Sequence, residues 1–203
     1  MHFRATAIIV AVRAHGENGA VVRALTADYG LQPGYVRGGR SRRVRPILSV
    51  GNIVAADYRA RNETQLASLT VELVTSRAPL LGEPLAAAAI EWVTALAAVT
   101  LPEGHPYPRV YAALDGILCA VEAAQSARGW IGALERYEAL ILVELGYGDT
   151  GSVGLMNNGR RLTEDLLTGR RADILPARDR LIERLDRAMG VDPKPFGTAR
   201  RNP

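Results

Sequence analysis

Cysteine is nearly missing: Cys119 is the one thiol in 203 residues. A lone thiol excludes an intramolecular disulfide framework and a cysteine-rich zinc site, and it fits a reducing compartment. Lysine is as scarce, with Lys194 the single one among 25 basic residues. No glycine–lysine pair occurs anywhere, which removes the phosphate-cradling loop of nucleotide-hydrolysing proteins. The three histidines, His2, His15 and His105, lie far apart with no cysteine near them, a poor start for a metal site. Long apolar runs are missing too. The opening MHFRATAIIVAVRAHG is interrupted at Arg13 and carries no small-residue cleavage pattern, so it reads as a strand and not as a secretion signal. No segment reaches the ~18 apolar residues of a membrane span. The expectation is a cytoplasmic protein with no membrane partner, no metal and no cofactor.

What remains is ample for a folded core. At 48% apolar and 23% charged, a chain of this length makes one large domain or two small ones. The net charge of +4 conceals an asymmetry. Residues 1–78 hold eleven arginines against five acidic residues, a net +6. Residues 79–150 hold three against nine, a net −6, and residues 151–203 hold eleven basic against seven acidic, a net +4. Basic ends around an acidic middle point to a polyanion at the ends and another task in between. Arginine suits phosphate because its planar fork donates two hydrogen bonds at once. So complete an arginine bias, however, speaks of whole-genome composition more than of a site.

The first eighty residues read as short strands. FRATAIIVAV (3–12) is β-branched and apolar, HGENG (15–19) turns the chain, and AVVRALT (20–26) follows. LQPGYVRGG leads into an arginine-rich loop. ILSVGNIVAADYRA (47–60) reads as a longer strand with a bulge or bend at Gly51, and LASLTVELV (66–74) as the last strand. Five strands without a helical period indicate a small closed barrel. After Pro79 the pattern turns helical, over 84–100, 109–124 and 129–145, the third capped by Ser126. PARDRLIERLDRAMG closes the chain as a helix with Pro176 at its start and Gly190 past its end. The tail 191–203 reads as disordered.

The stretch VRGGRSRRVRP (36–46) carries the chemistry. Arg37, Arg40, Arg42, Arg43 and Arg45 fall within nine positions, all of one sign, behind Gly38 and Gly39 that permit close backbone approach. The plain alternative is a solvated hairpin tip. Inside a five-strand barrel the better reading is contact with a nucleic-acid backbone, because such barrels hold single strands on a basic groove with aromatic platforms. Tyr29, Tyr35 and Tyr58 are the available aromatics, and each also reads as an ordinary core or surface tyrosine. GYGDTG (146–151) matches a dinucleotide-binding glycine pattern literally. It follows a helix and not a strand, so Gly146 reads as a helix C-cap. Cys119, among Ile117, Leu118 and Val121, reads as a buried thiol, and Glu135, Glu138 and Glu144 as the solvated side of their helix. No catalytic constellation has a recognisable context, so an enzyme is not expected.

The order of these features resembles the RecO family of bacterial recombination mediators. HGENGAVVRALTADYGLQPGYVRGGRSR, ILSVGNIVAADYR and LASLTVELV carry the likeness best, with Thr26, Tyr29, Gly30, Leu31, Gly38, Gly39 and Arg40 in the family's order. EGHPYPRVYAALDGILCAVE, ERYEALILVELGYG and LPARDRLIERL resemble its helices. The likeness covers residues 3–148 and 174–186. It departs at GDTGSVGLMNNGRRLTEDLLTGRRADI, a short, cysteine-free stretch where many members carry a zinc-binding segment.

The resemblance implies an α+β protein, with a five-stranded oligonucleotide-binding (OB) barrel over 1–78 and a helical domain over 79–190. The latter holds a remnant of the zinc segment at about 149–175. It implies a DNA-repair mediator that binds single- and double-stranded DNA without sequence specificity and anneals complementary strands. Its partners would be RecR, the C-terminal tail of single-strand-binding protein and, indirectly, the RecA recombinase loaded onto coated strands. The expected DNA-binding residues are Arg37, Arg40, Arg42, Arg43 and Arg45, joined by Arg23, Arg59 and Arg61 if they share that barrel face. The acidic middle is the expected partner platform, with Arg109, Arg128 and Arg136 its only cations. The rivals are a protein–protein scaffold whose loop docks an acidic partner and an RNA-binding barrel.

Overall fold

A computed structural model describes residues 1–62, 65–148 and 154–190. Five strands come first: β1 (His2–His15), β2 (Gly19–Thr26), β3 (Gly30–Val36), β4 (Ile53–Arg59) and β5 (Ala67–Thr75). They close into a barrel in the order β1-β2-β3-β5-β4. All neighbours are antiparallel except β3 and β5, which pair in parallel at Gly34–Ala67 and Tyr35–Ser68. This is the five-stranded OB-type barrel expected from the sequence.

β1 serves two neighbours. Its first half pairs with β4 and its second with β2, the register shifting between Ile9 and Ala11. Following partners around the barrel, His2 lies opposite Arg59, Arg59 opposite Ser68, Ser68 opposite Tyr35, Tyr35 opposite Val21, and Val21 opposite Arg13. One circuit therefore returns to β1 eleven residues further on. So large a stagger means steeply tilted strands.

The continuous apolar run in β1 has a simple cause. Ala7 and Ile9 point into the barrel with Val22, Val54, Tyr58 and Leu69. Ile8 and Val10 point outward and are equally buried, because with Leu25 and Leu31 they belong to the helical core. Part of the barrel's outer surface is thus a packing face.

The predicted fourth strand over 47–60 is corrected. Residues 44–50 lie in hydrogen-bonded turns, and β4 begins only at Ile53. Gly51 sits at the change of direction with φ +83°, a conformation that a side chain strains.

The helices are α1 (Pro84–Thr100), α2 (Pro108–Ala123), α3 (Ile131–Glu144), α4 (Leu155–Arg161) and α5 (Leu175–Met189). Proline opens α1, α2 and α5 within the first two positions, where its missing N–H costs nothing. Ser126 makes no side-chain cap; a 3-10 turn over Ala127–Gly129 precedes α3 instead. Gly146 does end α3, with its N–H donating to Val143 O at 3.0 Å and Tyr147 N–H to Leu142 O at 2.8 Å. The stretch expected to be a remnant of the zinc segment is described from residue 154, as α4, a π turn over Leu162–Leu166 and a 3-10 turn over Gly169–Ile174. The expected disorder of 191–203 falls outside the described residues.

Two arginine–carboxylate pairs stand out, Arg77 with Asp115 at the junction of barrel and helices and Arg178 with Glu138 inside the helical bundle. Arg77 is 1% exposed. Its Nη1 donates to Gly51 O at 2.9 Å, its backbone N–H to Asn52 Oδ1 at 2.8 Å, and its Nη2 lies 3.2 Å from Asp115 Oδ1 on α2. Cys119, read as buried, is exposed; its sulfur lies 3.2 Å from the same Nη2. Glu138, read as solvated, is the most buried charge of the bundle at 0% exposure. Arg178 Nε and Trp92 Nε1 donate to its Oε1 at 3.2 and 2.9 Å. Burial pushes its carboxyl above the ordinary value, and Arg178 opposes that shift. The helical pattern hid this residue, because Tyr137 and Glu138 both face inward.

Candidate nucleic-acid interface

The arginine segment is an ordered cap on the end of the barrel, not a hairpin tip. Ser41 N–H donates to Gly38 O and Arg45 N–H to Ser41 O, both at 2.9 Å, and Leu48 N–H to Val44 O at 3.3 Å. Leu48 is buried in the barrel core, and Val44 and Ile47 pack against it. The Asn52 side chain fastens the turn from below, its Nδ2 donating to Pro46 O at 3.0 Å and Ile47 O at 3.1 Å. Gly39 lies so close to β2 that a Cβ there would stand 2.8 Å from Ala20 Cβ. The glycine pair serves packing first: Gly39 lets the segment lie on the barrel.

With its apolar positions turned inward, the segment presents Arg37, Arg40, Arg42, Arg43 and Arg45 to solvent. Arg40 Nη1 donates to Glu17 O at 2.9 Å, which leaves its charge unneutralised. The other four side chains have no hydrogen-bond or ion-pair partner among the described residues. Gathering this much like charge costs repulsion that solvent only partly screens. Arg40 N–H to Asn18 O, 3.2 Å, ties the segment to the turn after β1, which brings His15 and Arg13 to the same end.

The outward row described above extends this surface. Arg13, Ser68 and Arg59 are exposed, and Val21 and Tyr35 are half-buried. The Tyr35 ring covers Gly19, where a Cβ would fall 2.3 Å from its hydroxyl, and meets His15 edge-on at 5.9 Å. From Arg13 to Arg59 the row crosses four strand spacings, about 19 Å. Arg59 is not a free cation. It grips Asp57 with Nε and Nη2 at 2.9 and 3.1 Å, and Arg4 Nε joins the same carboxylate at 2.8 Å. The Arg59 hydrogen bonds, then Arg4, hold Asp57 well below the usual carboxylate range. Two guanidiniums on one carboxylate leave a single net positive charge. Arg61, in the turn after β4, is exposed.

Arg23 stands apart from this face. It donates to Ala98 O at the end of α1 and pairs with Glu103 at 3.0 Å. The structure therefore does not bring it together with the cap. Tyr58 is also removed from the candidate platforms: it is 0% exposed inside the barrel. Arg13, by contrast, escaped the sequence reading. Pairing β1 with β2 about the HGENG turn would have put it beside Val21 and Tyr35.

In the helical half Arg109 is held by Glu144 at 2.8 Å, while Arg128 and Arg136 are exposed. Arg160 and Arg161 each face an acid one turn on, Glu164 and Asp165, at 3.8 Å. Among the described residues no three His, Cys, Asp or Glu side chains gather where a metal would sit. Residues 154–175 contain neither cysteine nor histidine, so the donor set there does not fit a zinc ion.

A closed five-stranded OB barrel with an exposed basic cap, backed by a helical bundle, defines a protein of the oligonucleotide-binding architecture. Residues 1–77 match the family described as "Recombination protein O N terminal". The chain is 37% identical over 190 residues to the DNA repair protein RecO of Rhodospirillum centenum, covering 90% of this chain and 74% of that one. It is 40% identical over 149 residues to the RecO of Phenylobacterium zucineum, covering 73% and 60%. Against that of Rhodospirillum rubrum the identity is 41% over 146 residues, covering 70% and 57%. The chain belongs to the RecO family. It spans about 60% of the length of the first relatives it matches.

Proposed function

We propose that this chain acts in DNA repair as a non-enzymatic recombination mediator, holding DNA through its phosphates on the barrel's basic cap. The observation that carries the reading is the cap itself: five exposed arginines on a hydrogen-bonded turn anchored by Leu48. Charge held in place without an acidic partner has ready counter-ions in phosphates. Arg37, Arg40, Arg42, Arg43 and Arg45 form the centre. Arg13, the Arg59–Arg4–Asp57 group and Arg61 extend it along the outward row, and Tyr35 offers a ring between them. Arg23 is left out, because α1 and Glu103 already use it.

Contacts of this kind ignore sequence and serve single and double strands alike. A basic surface also lowers the repulsion between two complementary strands, which is the physical basis for annealing. RecR, the acidic tail of single-strand-binding protein and, through them, RecA loading belong to the same proposal as partners of family members. No helix among the described residues is long and apolar enough to cross a membrane, and a cytoplasmic site of action accompanies the proposal.

The test is anisotropy of a labelled single strand across a salt series. Wild type is compared with the Arg40→Ala, Arg42→Ala, Arg43→Ala triple variant. Loss of three phosphate contacts weakens binding and flattens the log–log salt slope by about two units. An unchanged slope and affinity would make the cap a solvated surface or a protein dock. Equal affinity for matched RNA would move the reading towards an RNA-binding barrel.

A further inference from the structure

The mouth of the barrel opposite the arginine cap holds a groove of about 550 Å³, bordered by Phe3, Tyr29, Gln32, Pro33, Gln65 and Leu66. A column of three rings ends in it. Tyr58 lies inside the barrel, Phe3 stacks on it at 4.8 Å and 15°, and Tyr29 stacks on Phe3 at 4.0 Å and 25°. Tyr29 is 40% exposed and Leu66 44%. The column thus stops at an aromatic surface facing water, beside an exposed aliphatic wall. We infer that this groove is a slot for one unpaired nucleobase, stacked on Tyr29 as the fourth ring of the column.

The inference rests on the DNA-binding reading above and adds a second kind of contact to it. Position supports it. Pro33 and Leu66 precede Tyr35 and Ser68 by two residues on the same outward face, about 7 Å along the strands. A backbone following the Tyr35–Ser68–Arg59 row has this slot within a base's reach. Charge supports it too. Asp28 and Glu103 border the groove, and Asp28 is exposed while Glu103 is spent on Arg23. Carboxylates repel phosphates, so the groove admits a base and leaves the backbone on the basic row. Gln65 is exposed, and Gln32 is fixed by the bond from its Nε2 to Tyr29 O at 2.6 Å. Their amides can meet the edge of a ring. Stacking tolerates every base, with the larger purines covering more of Tyr29.

The probe is an oligothymidylate carrying one 2-aminopurine, whose fluorescence is quenched on stacking, placed in turn at each end and at interior positions. Wild type quenches it at one or two positions, and Tyr29→Phe retains the quench. Tyr29→Ala and Leu66→Asp abolish it, and they weaken binding by about 5- to 150-fold, the range for one lost base stack. The salt slope stays at the wild-type value, since no phosphate contact is removed, whereas the cap triple variant flattens the slope and retains the quench at saturation. Circular dichroism identifies any variant that fails to fold, and the Tyr29→Phe and Leu66→Asp pair then decides. Quenching that is equal in wild type, Tyr29→Ala and Leu66→Asp overturns the slot but leaves the cap reading standing. A wild-type protein that binds no strand overturns both.

Discussion

Arg77 and Asp115 meet across the junction of the two halves, Nη2 to Oδ1 at 3.2 Å, with the guanidinium buried and the carboxylate one-third exposed. Arg77 also serves the Gly51 carbonyl and lies 3.4 Å from Glu122. Replacing it with methionine leaves that carbonyl unserved while both carboxylates can reach water. Arg77→Met is expected to lower unfolding stability by about 2–4 kcal/mol. Asp115→Asn should cost under ~1 kcal/mol, because Glu122 still balances the charge. Urea unfolding of the two variants checks the order; a larger loss at Asp115 would contradict it.

Glu138 sets a pH dependence whose sign is unusual for a carboxylate with an arginine beside it. Its folded pKa is raised from the ordinary 4.5, burial being the largest cause. A group raised on folding takes up a proton, so its favourable contribution is complete below the unfolded value and fades as pH rises through the folded one. The stability of wild type relative to Glu138→Gln should therefore fall as pH rises above the ordinary carboxylate value of 4.5. Thermal melts of both proteins at several pH values measure this. A difference that grows with pH would mean that Arg178 outweighs burial.

Leu48 links packing to binding. It carries no charge, yet it holds the arginine cap onto the barrel core. Leu48→Ala should cost about 2–5 kcal/mol in stability. It should also weaken strand binding while the count of cations stays the same. Unchanged affinity in the folded variant would show that the cap needs its charge but not its anchorage.

Arg13 and Arg23 offer a matched pair, both on the first hairpin and both outward. Arg13→Ala should reduce the salt slope of single-strand binding by about 0.7 and leave stability near wild type. Arg23→Ala should do the reverse, losing stability with the Ala98 and Glu103 contacts and keeping the slope. The same anisotropy series, with thermal melts alongside, separates the two. A slope change at Arg23 would place DNA on the helical side of the barrel.

The strands, the barrel and the long helices were legible because each follows a local period. Pro84 and Gly146 stand where proline opens and glycine closes a helix, and α1 was read to the residue. What failed depends on tertiary contacts. Residues 47–52 are as β-prone as a strand, but capping the barrel bends them into turns around Leu48 and Asn52. Glu138 lies on an inward face that only the distant Arg178 and Trp92 make tolerable. Arg23 and Arg59 look alike in composition, and only the register shows one under α1 and the other beside Asp57. The arginine segment was legible as charge and illegible as shape.

The outward burial of Ile8, Val10, Leu25 and Leu31 has a practical consequence for dividing the chain. Sequence likeness to the family's first unit ends at residue 77, on the residue that fastens the barrel to α2. A fragment cut there would keep its hydrogen-bonded ladder and its arginines, yet carry a bare oily flank where α1 had lain. Such a fragment should self-associate, and its apparent DNA binding would report aggregates. Biochemistry on this barrel therefore calls for the whole helical bundle, because α1 packs against α5 and α2 against α3 as well as against the strands.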